Sequence, residues 1–205
     1  MTGASVFLAL VLIVLVVVGV EVIWKHHRAA EHERQDQQWR DTEQAIRANL
    51  ADPDRQSLIE DVRLRALSNQ ASLEHICQAT ATALGAPAAV ITVVEIEGQR
   101  WLAYYGADWC SDDVRDGAAA PLETSYCQYV VASDQPLVIA DSLNDVRVRT
   151  ATDQTKHDVR AYIGSPVHAA NGVPVGALCV FDTRPRRWSP RDEAVVSSFA
   201  SLVLL

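Results

Sequence analysis

The residues of this chain with a capacity for chemistry are first its four cysteines, Cys77, Cys110, Cys127 and Cys179, and its six histidines. No two cysteines stand at C-x-x-C or zinc-finger spacing, so no structural metal site is expected. The set reads as reduced thiols in a cytoplasmic setting. A thiol reacts as its thiolate. Cys127 falls at the start of a short predicted helix, where an exposed thiol has a lowered pKa and a redox-sensing role is open to it. Of the histidines, His26, His27 and His32 lie in a charge-dense segment. His75 falls on an exposed helix face and His168 beside a turn. No Gly-rich phosphate loop and no G-x-S-x-G is present, so neither a phosphate cradle nor a serine nucleophile is indicated.

The element that must position these groups is AYIGSPVHAANGVPVGALCVFDT, residues 161–183. Asn171-Gly172 between two apolar runs is a hairpin signal. Both faces of the second run are apolar, which calls for an interior strand covered on each side. Gly164 and Gly176 leave room for a bulge, a close backbone approach or a ligand. Upstream, a helix capped by Ser72 and closed by Gly85 and Pro87 would bury Leu73, Ile76, Cys77, Thr80 and Leu84. Residues 88–95 read as a doubly buried strand, paired through Glu97-Gly98 with 100–105. Simple alternation there places Trp101, Ala103 and Tyr105 on one side and Leu102 and Tyr104 on the other. A long polar loop spans 107–123, a short helix 126–132, a short strand 137–140 and a variable polar segment 141–156. Ser189-Pro190 opens a last helix with Val195, Val196, Phe199, Leu202 and Val203 as its stripe.

A chain of 205 residues, 49% apolar and 21% charged, holds one good core and an appendage. Its formal charge of -8 disfavours a nucleic-acid partner. Residues 6–24 are an almost unbroken apolar run, about 28 Å long as a helix, close to hydrocarbon thickness. Lys25 and Arg28 follow the run instead of preceding it, and Val22-Ile23-Trp24 is a poor cleavage site. The expectation is a single transmembrane anchor over 1–24, with the remainder facing the cytoplasm, and not a signal peptide. Residues 25–70 read as a helical stalk with a thin stripe at Trp39, Ile46 and Leu50. It is either a solvated helix or a parallel dimeric coiled coil. Asp52 and Pro53 suit the N-cap and first turn of a second helix.

The stretches SYCQYVVASDQPLVIAD (125–141) and AYIGSPVHAANGVPVGALCVFDTRPRRWSPRD (161–192) resemble GAF domains, and the likeness spans about 72–205. The resemblance implies an α+β domain over 71–205: an antiparallel sheet with helices on both faces, its first and last helices packed together and often forming a homodimer interface. It also implies a small-molecule pocket under the loops. By position, that pocket would draw on Tyr126, Cys127, Asp141, Asp145 and Tyr162, with Trp101 and Cys179 on the sheet. The competing roles are core packing for the sheet residues and helix capping for the two aspartates. The helix opening at Tyr126 and Cys127 would point N–H groups at an anionic guest.

Subfamily signatures narrow the choice. The cyclic-nucleotide set is absent; Lys156-His157-Asp158 does not match it. Bilin binding would use Cys127 and His157, but the enclosing insertions are missing. His157 is near the expected pocket roof, where a lone histidine is more often hydrogen-bonded or wet than a haem ligand. Free methionine-sulfoxide reductases need a catalytic cysteine in the loop before the hairpin, and 144–160 contains none; Cys110 could at best be a resolving partner. The expected function is therefore a membrane-anchored, non-enzymatic sensory module that binds a small molecule or senses redox state and signals through a dimer interface or an output protein. The alternatives are a ligand-free dimerisation scaffold and, less favoured, a reductase-like enzyme. The residues name no cofactor.

Overall fold

The structure is a computed structural model and describes residues 24–27, 31, 34, 37, 41–107, 117–145, 147–148 and 159–203. The apolar run over 6–24 therefore lies outside the described residues except for Trp24, as do Trp39, Cys110 and His157. No helix among the described residues is long and apolar enough to cross a membrane. The chain divides into two units, residues 1–44 and 45–205. The described residues of the first are all helical.

In the second unit, Asp52 and Pro53 open α1 (Pro53–Ser68) as expected: the carboxylate accepts from the amides of Asp54 and Arg55. Helix α2 (Gln70–Leu84) follows at once. It starts behind Asn69 and not at a Ser72 cap, because the Ser72 amide already bonds the Asn69 carbonyl inside the first turn. Gly85, at φ 58°, ends it in the left-handed region.

Strands β1 (Ala88–Glu95), β2 (Gly98–Tyr105), β3 (Leu137–Ile139), β4 (Ala161–His168) and β5 (Pro174–Asp182) form one antiparallel sheet in the order β2-β1-β5-β4-β3. The strand after Asn171-Gly172 is thus the central one. Gly172, at φ 83°, turns the chain, and the amide of Val173 is held by the Asn171 side chain. Two cores result. On one face α1, α2 and α4 (Pro190–Ala200) cover Ile91, Val93, Ile163, Leu178 and Val180. On the other, α3 (Cys127–Ser133) and its flanking segments cover Val90, Tyr162, Ala177, Cys179 and Phe181.

Three sequence expectations are corrected. Residues 46–66 are not a free stalk: Ile46 and Leu50 are buried in the α3-side core, and Ile59, Val62 and Ala66 in the opposite one. Of the apolar residues expected along α1, Leu58, Ile59, Val62 and Leu67, the last is exposed, as is Leu64, so the buried stripe is narrow. Second, β2 does not alternate simply. The pairing slips between Ile91↔Ala103 and Thr92↔Trp101, which makes Leu102 an extra residue and a bulge. Ala103 and Leu102 therefore turn to the α2 side, while Trp101 and Tyr104 share the α3 side. Third, α4 stops at Ala200 and leaves Leu202 exposed, although Val203 beyond its end is buried in the core as expected. The described end of the segment expected as a loop, residues 117–123, is less irregular than its composition implies. Ala120 exchanges two backbone hydrogen bonds with Gln99 at the sheet edge, and Leu122–Thr124 form a 3-10 turn.

Candidate functional site

Between α3 and the sheet lies a half-enclosed cavity of about 70 Å³. Its lining includes Trp101, Tyr126, Cys127, Tyr162 and Cys179, all expected, together with Thr92, Gln99 and Phe181. Each element contributes for a local reason. The bulge at Leu102 turns Trp101 inward, where its ring lies 6.4 Å from Phe181 and 5.9 Å from Tyr104. Central β5 presents Cys179 and Phe181 on alternate positions. On β4, Tyr162 meets the edge of Tyr126 in a T-shaped contact at 5.4 Å.

The start of α3 is anchored by Ser125 and Gln128, a pair that carried no role in the sequence reading. The Ser125 hydroxyl donates to Gln99 Oε1 (2.6 Å) and accepts from the Gln128 amide (3.2 Å). The Gln128 side chain donates to the carbonyls of Leu122 and Ser125. S-x-x-Q is the spacing of a helix-opening capping pair, and that was the available signal. Helix α3 itself begins at Cys127, one residue later than expected.

The sulfurs of Cys127 and Cys179 lie 3.7 Å apart, and the Tyr162 hydroxyl donates to Cys127 Sγ at 3.4 Å. Cys127 is buried, so the condition of exposure under which its position was expected to lower its pKa is not met. Its thiol is nevertheless more acidic than usual. The cause is first the hydrogen bond with Cys179, then those with Thr92 and Tyr162, which outweigh the burial that opposes a charge. Burial raises Cys179 and Tyr162 well above their ordinary values, so both stay protonated as donors. The site thus places one acceptor sulfur among hydroxyl and thiol donors.

Asp141 and Asp145 are not brought to this cavity. Arg160 donates to Asp141 through Nε and Nη2 (3.0 and 2.8 Å), and Asn144 Nδ2 adds a third bond. Asp145 makes a two-pronged pair with Arg147 (2.9 and 2.6 Å), and Arg147 Nη2 also donates to the Val138 carbonyl. The hydrogen bond from the arginine holds each carboxyl below its ordinary value. Both aspartates fasten the segment after β3 and leave the lining without a carboxylate, and without an arginine or lysine, among the described residues. Gly164, read as room for a bulge or a guest, is overlaid by the Tyr162 phenol, while Gly176 admits the Thr92 carbonyl and adjoins a bulge at Val175. Among the described residues no group of three or more potential metal ligands occurs. His168 Nε2 pairs with Asp134 at 2.7 Å, away from the cavity lining.

The profile of the GAF domain family matches residues 68–204. This chain belongs to the GAF family. A curated relative, a cyclic di-GMP phosphodiesterase of Pseudomonas aeruginosa, is 29% identical over 152 residues, 73% of this chain and 24% of its own length. The chain thus spans about a quarter of that relative. The fold is similar to the type II free methionine-R-sulfoxide reductase of Thermoplasma acidophilum (TM-score 0.52, 19% identity, 69% of this chain and 91% of that one). It is also similar to the GAF domain of an Acinetobacter phosphoenolpyruvate-protein phosphotransferase (TM-score 0.52, 14% identity, 71% and 89%). These likenesses are of fold. The GAF domain begins a few residues before position 71, and buried side chains extend the compact unit further, to Ile46.

Proposed function

We propose that this chain is a membrane-anchored sensory module whose GAF domain takes a small, uncharged guest into the cavity between α3 and the sheet. The observation that carries the reading is the cavity itself, about 70 Å³ and lined by Trp101, Tyr126, Cys127, Tyr162 and Cys179 with no acidic residue, arginine or lysine among the described lining. That volume suits a guest of few heavy atoms. Among the described lining residues no cation is present, which disfavours the anionic guest that the helix opening suggested, since a buried anion needs a partner. Among the described residues no side chain fills the cavity, which favours a sensor over a scaffold whose own side chains occupy the site.

The apolar run over 6–24 supplies the anchor, and the domain is cytoplasmic by the cations that follow that run. Signal would pass to the helix over residues 45–50, because Ile46 and Leu50 belong to the same buried cluster as Tyr126, Cys127 and Tyr162. A guest that displaces this cluster biases that helix and, through it, a homodimer or an output protein. Exposed Leu64, Leu67 and Leu202 are among the apolar side chains open to such a partner. An output acting on cyclic di-GMP is the kind that the curated relative brings to mind. The reductase alternative lacks a cysteine in residues 144–160.

The test is mass spectrometry of small molecules extracted from the purified full-length chain, with titration of tryptophan emission by the molecule found. A bound mass, with an emission change lost in Trp101→Phe, supports the reading. A chain that carries no guest, and whose emission is unmoved by small uncharged probes such as phenol, overturns it. Membrane fractions that retain the chain through alkaline washing support the anchor.

A further inference from the structure

We propose that Cys127 and Cys179 are a peroxide-responsive dithiol that closes to a disulfide inside the cavity. This rests on the reading of that cavity as the sensory site, and gives it a second, covalent input. Both cysteines line the cavity, so a small oxidant that enters comes to them without unfolding the domain. They are 3.7 Å apart, and a disulfide needs about 2.05 Å, so the remaining approach is about 1.7 Å. Cys179 is held on the central strand, whereas Cys127 opens a helix of seven residues. The approach therefore falls to α3.

The two sulfurs are not equivalent. Cys127 accepts from the Tyr162 hydroxyl and is the acidic member, whereas Cys179 keeps its proton. The Cys127 thiolate attacks one oxygen of hydrogen peroxide, the O–O bond breaks, and hydroxide leaves and takes up a proton to become water. Cys127 is now a sulfenic acid, its sulfur oxidised by two electrons. The Cys179 sulfur then attacks the Cys127 sulfur. The S–O bond breaks, the hydroxyl leaves with the Cys179 proton as a second water, and the S–S bond forms. Two thiols and one peroxide give one disulfide and two waters. Closure removes the thiolate that the Tyr162 hydroxyl bonds and draws α3 toward β5, which alters the cavity a guest would enter.

Cys77 is an internal control. It is buried in the core on the opposite face, and burial pushes its thiol up to about 12, so it holds almost no thiolate near neutral pH.

The experiment treats the reduced full-length chain with hydrogen peroxide and maps linked peptides without reductant. The expected product is lighter by two hydrogens, joins the Cys127 and Cys179 peptides, and reverts with dithiothreitol. Cys179→Ser should stop at a Cys127 sulfenic acid that dimedone captures. Cys127→Ser should slow peroxide consumption by roughly tenfold or more, with unfolding melts confirming that each variant is folded. A wild-type chain in which Cys127 stays unmodified, or in which Cys110 is the linked partner, overturns the proposal. Tryptophan titration with the extracted guest separates the two readings: a guest that binds a chain with no linkage sinks the dithiol alone, and a linkage in a chain that takes no guest sinks the small-molecule reading alone.

Discussion

The phenol of Tyr162 lies back over Gly164, two residues along the same strand, and a methyl group at position 164 would run into its hydroxyl. Only a glycine lets the ring lie flat enough to reach Cys127 and to meet Tyr126 edge-on. Gly164→Ala should therefore lift the ring into the cavity, cost about 1–3 kcal/mol and weaken guest binding. Gly176→Ala should cost more, because the atom in the way is the Thr92 carbonyl, part of a paired strand that has no rotamer to yield. Chemical denaturation of the two variants checks the order.

Acid should destabilise the domain in a definable window. Asp192 accepts from the Ser189 amide in a capping box at the start of α4, and that backbone bond, chiefly, lowers its pKa. Asp141 and Asp145 are lowered by their arginines. A folded value below the ordinary carboxylate value, about 4, means the unfolded chain binds more protons in between. Stability from these groups is complete above that value and is lost as pH falls through the depressed folded values. Melting temperatures should hold from pH 7 to about 5 and fall below about 4. Asp192→Asn should flatten that fall, and Ser189→Ala should cost about 1 kcal/mol at neutral pH.

The central hairpin, β1 and the opening of α1 were legible because their signals are local: Asn171-Gly172, an eight-residue apolar run, Asp52-Pro53. The candidate site was legible in part. Tyr126, Cys127, Tyr162, Cys179 and Trp101 do converge, and family resemblance located them. Trp101 reached that face by a route that alternation could not foresee, since a bulge adds a residue without leaving any mark in composition. Asp141 was misplaced because Arg160, nineteen residues on, becomes its neighbour only when the chain returns at the start of β4. The pairing of Cys127 with Cys179 is equally non-local, and spacing along the chain carried no trace of it.

The domain boundary gives a direct test. A chain starting at residue 71 lacks Ile46, Leu50, Ile59, Val62 and Ala66, all buried in one or other core. Each of the four larger aliphatics contributes about 1.5–3 kcal/mol by burial, a sum comparable to the whole stability of a domain. A chain starting at residue 41 should therefore unfold in one cooperative thermal transition. One starting at 71 should aggregate or melt without cooperativity. Circular dichroism melts and size-exclusion elution of the two chains decide it. Equal, cooperative melts would show that α1 is dispensable.

Arg55 joins the two cores and is the change expected to hurt most. It is 2% exposed, yet among the described residues it has no carboxylate within salt-bridge distance. Burial lowers its pKa to about 10, against the pull of Glu95 and Asp52, so it remains charged at neutral pH. What satisfies that charge is main chain: its guanidinium donates to the carbonyls of Leu50, Val94, Pro174 and Val175. These four end the helix over residues 45–50, the strand β1, and the hairpin turn into β5. A planar fork with five donors can serve such a set, whereas an ammonium cannot reach all of it. Arg55→Met should strand several buried acceptors and cost about 3 kcal/mol or more. Arg55→Lys should recover only part of that. If the helix over 45–50 carries the cavity's signal, Arg55→Met should also uncouple guest binding from protection of Leu50, read as faster amide exchange across 45–50 that a bound guest no longer slows. A Met variant as stable as the parent would mean that water replaces the guanidinium at those carbonyls.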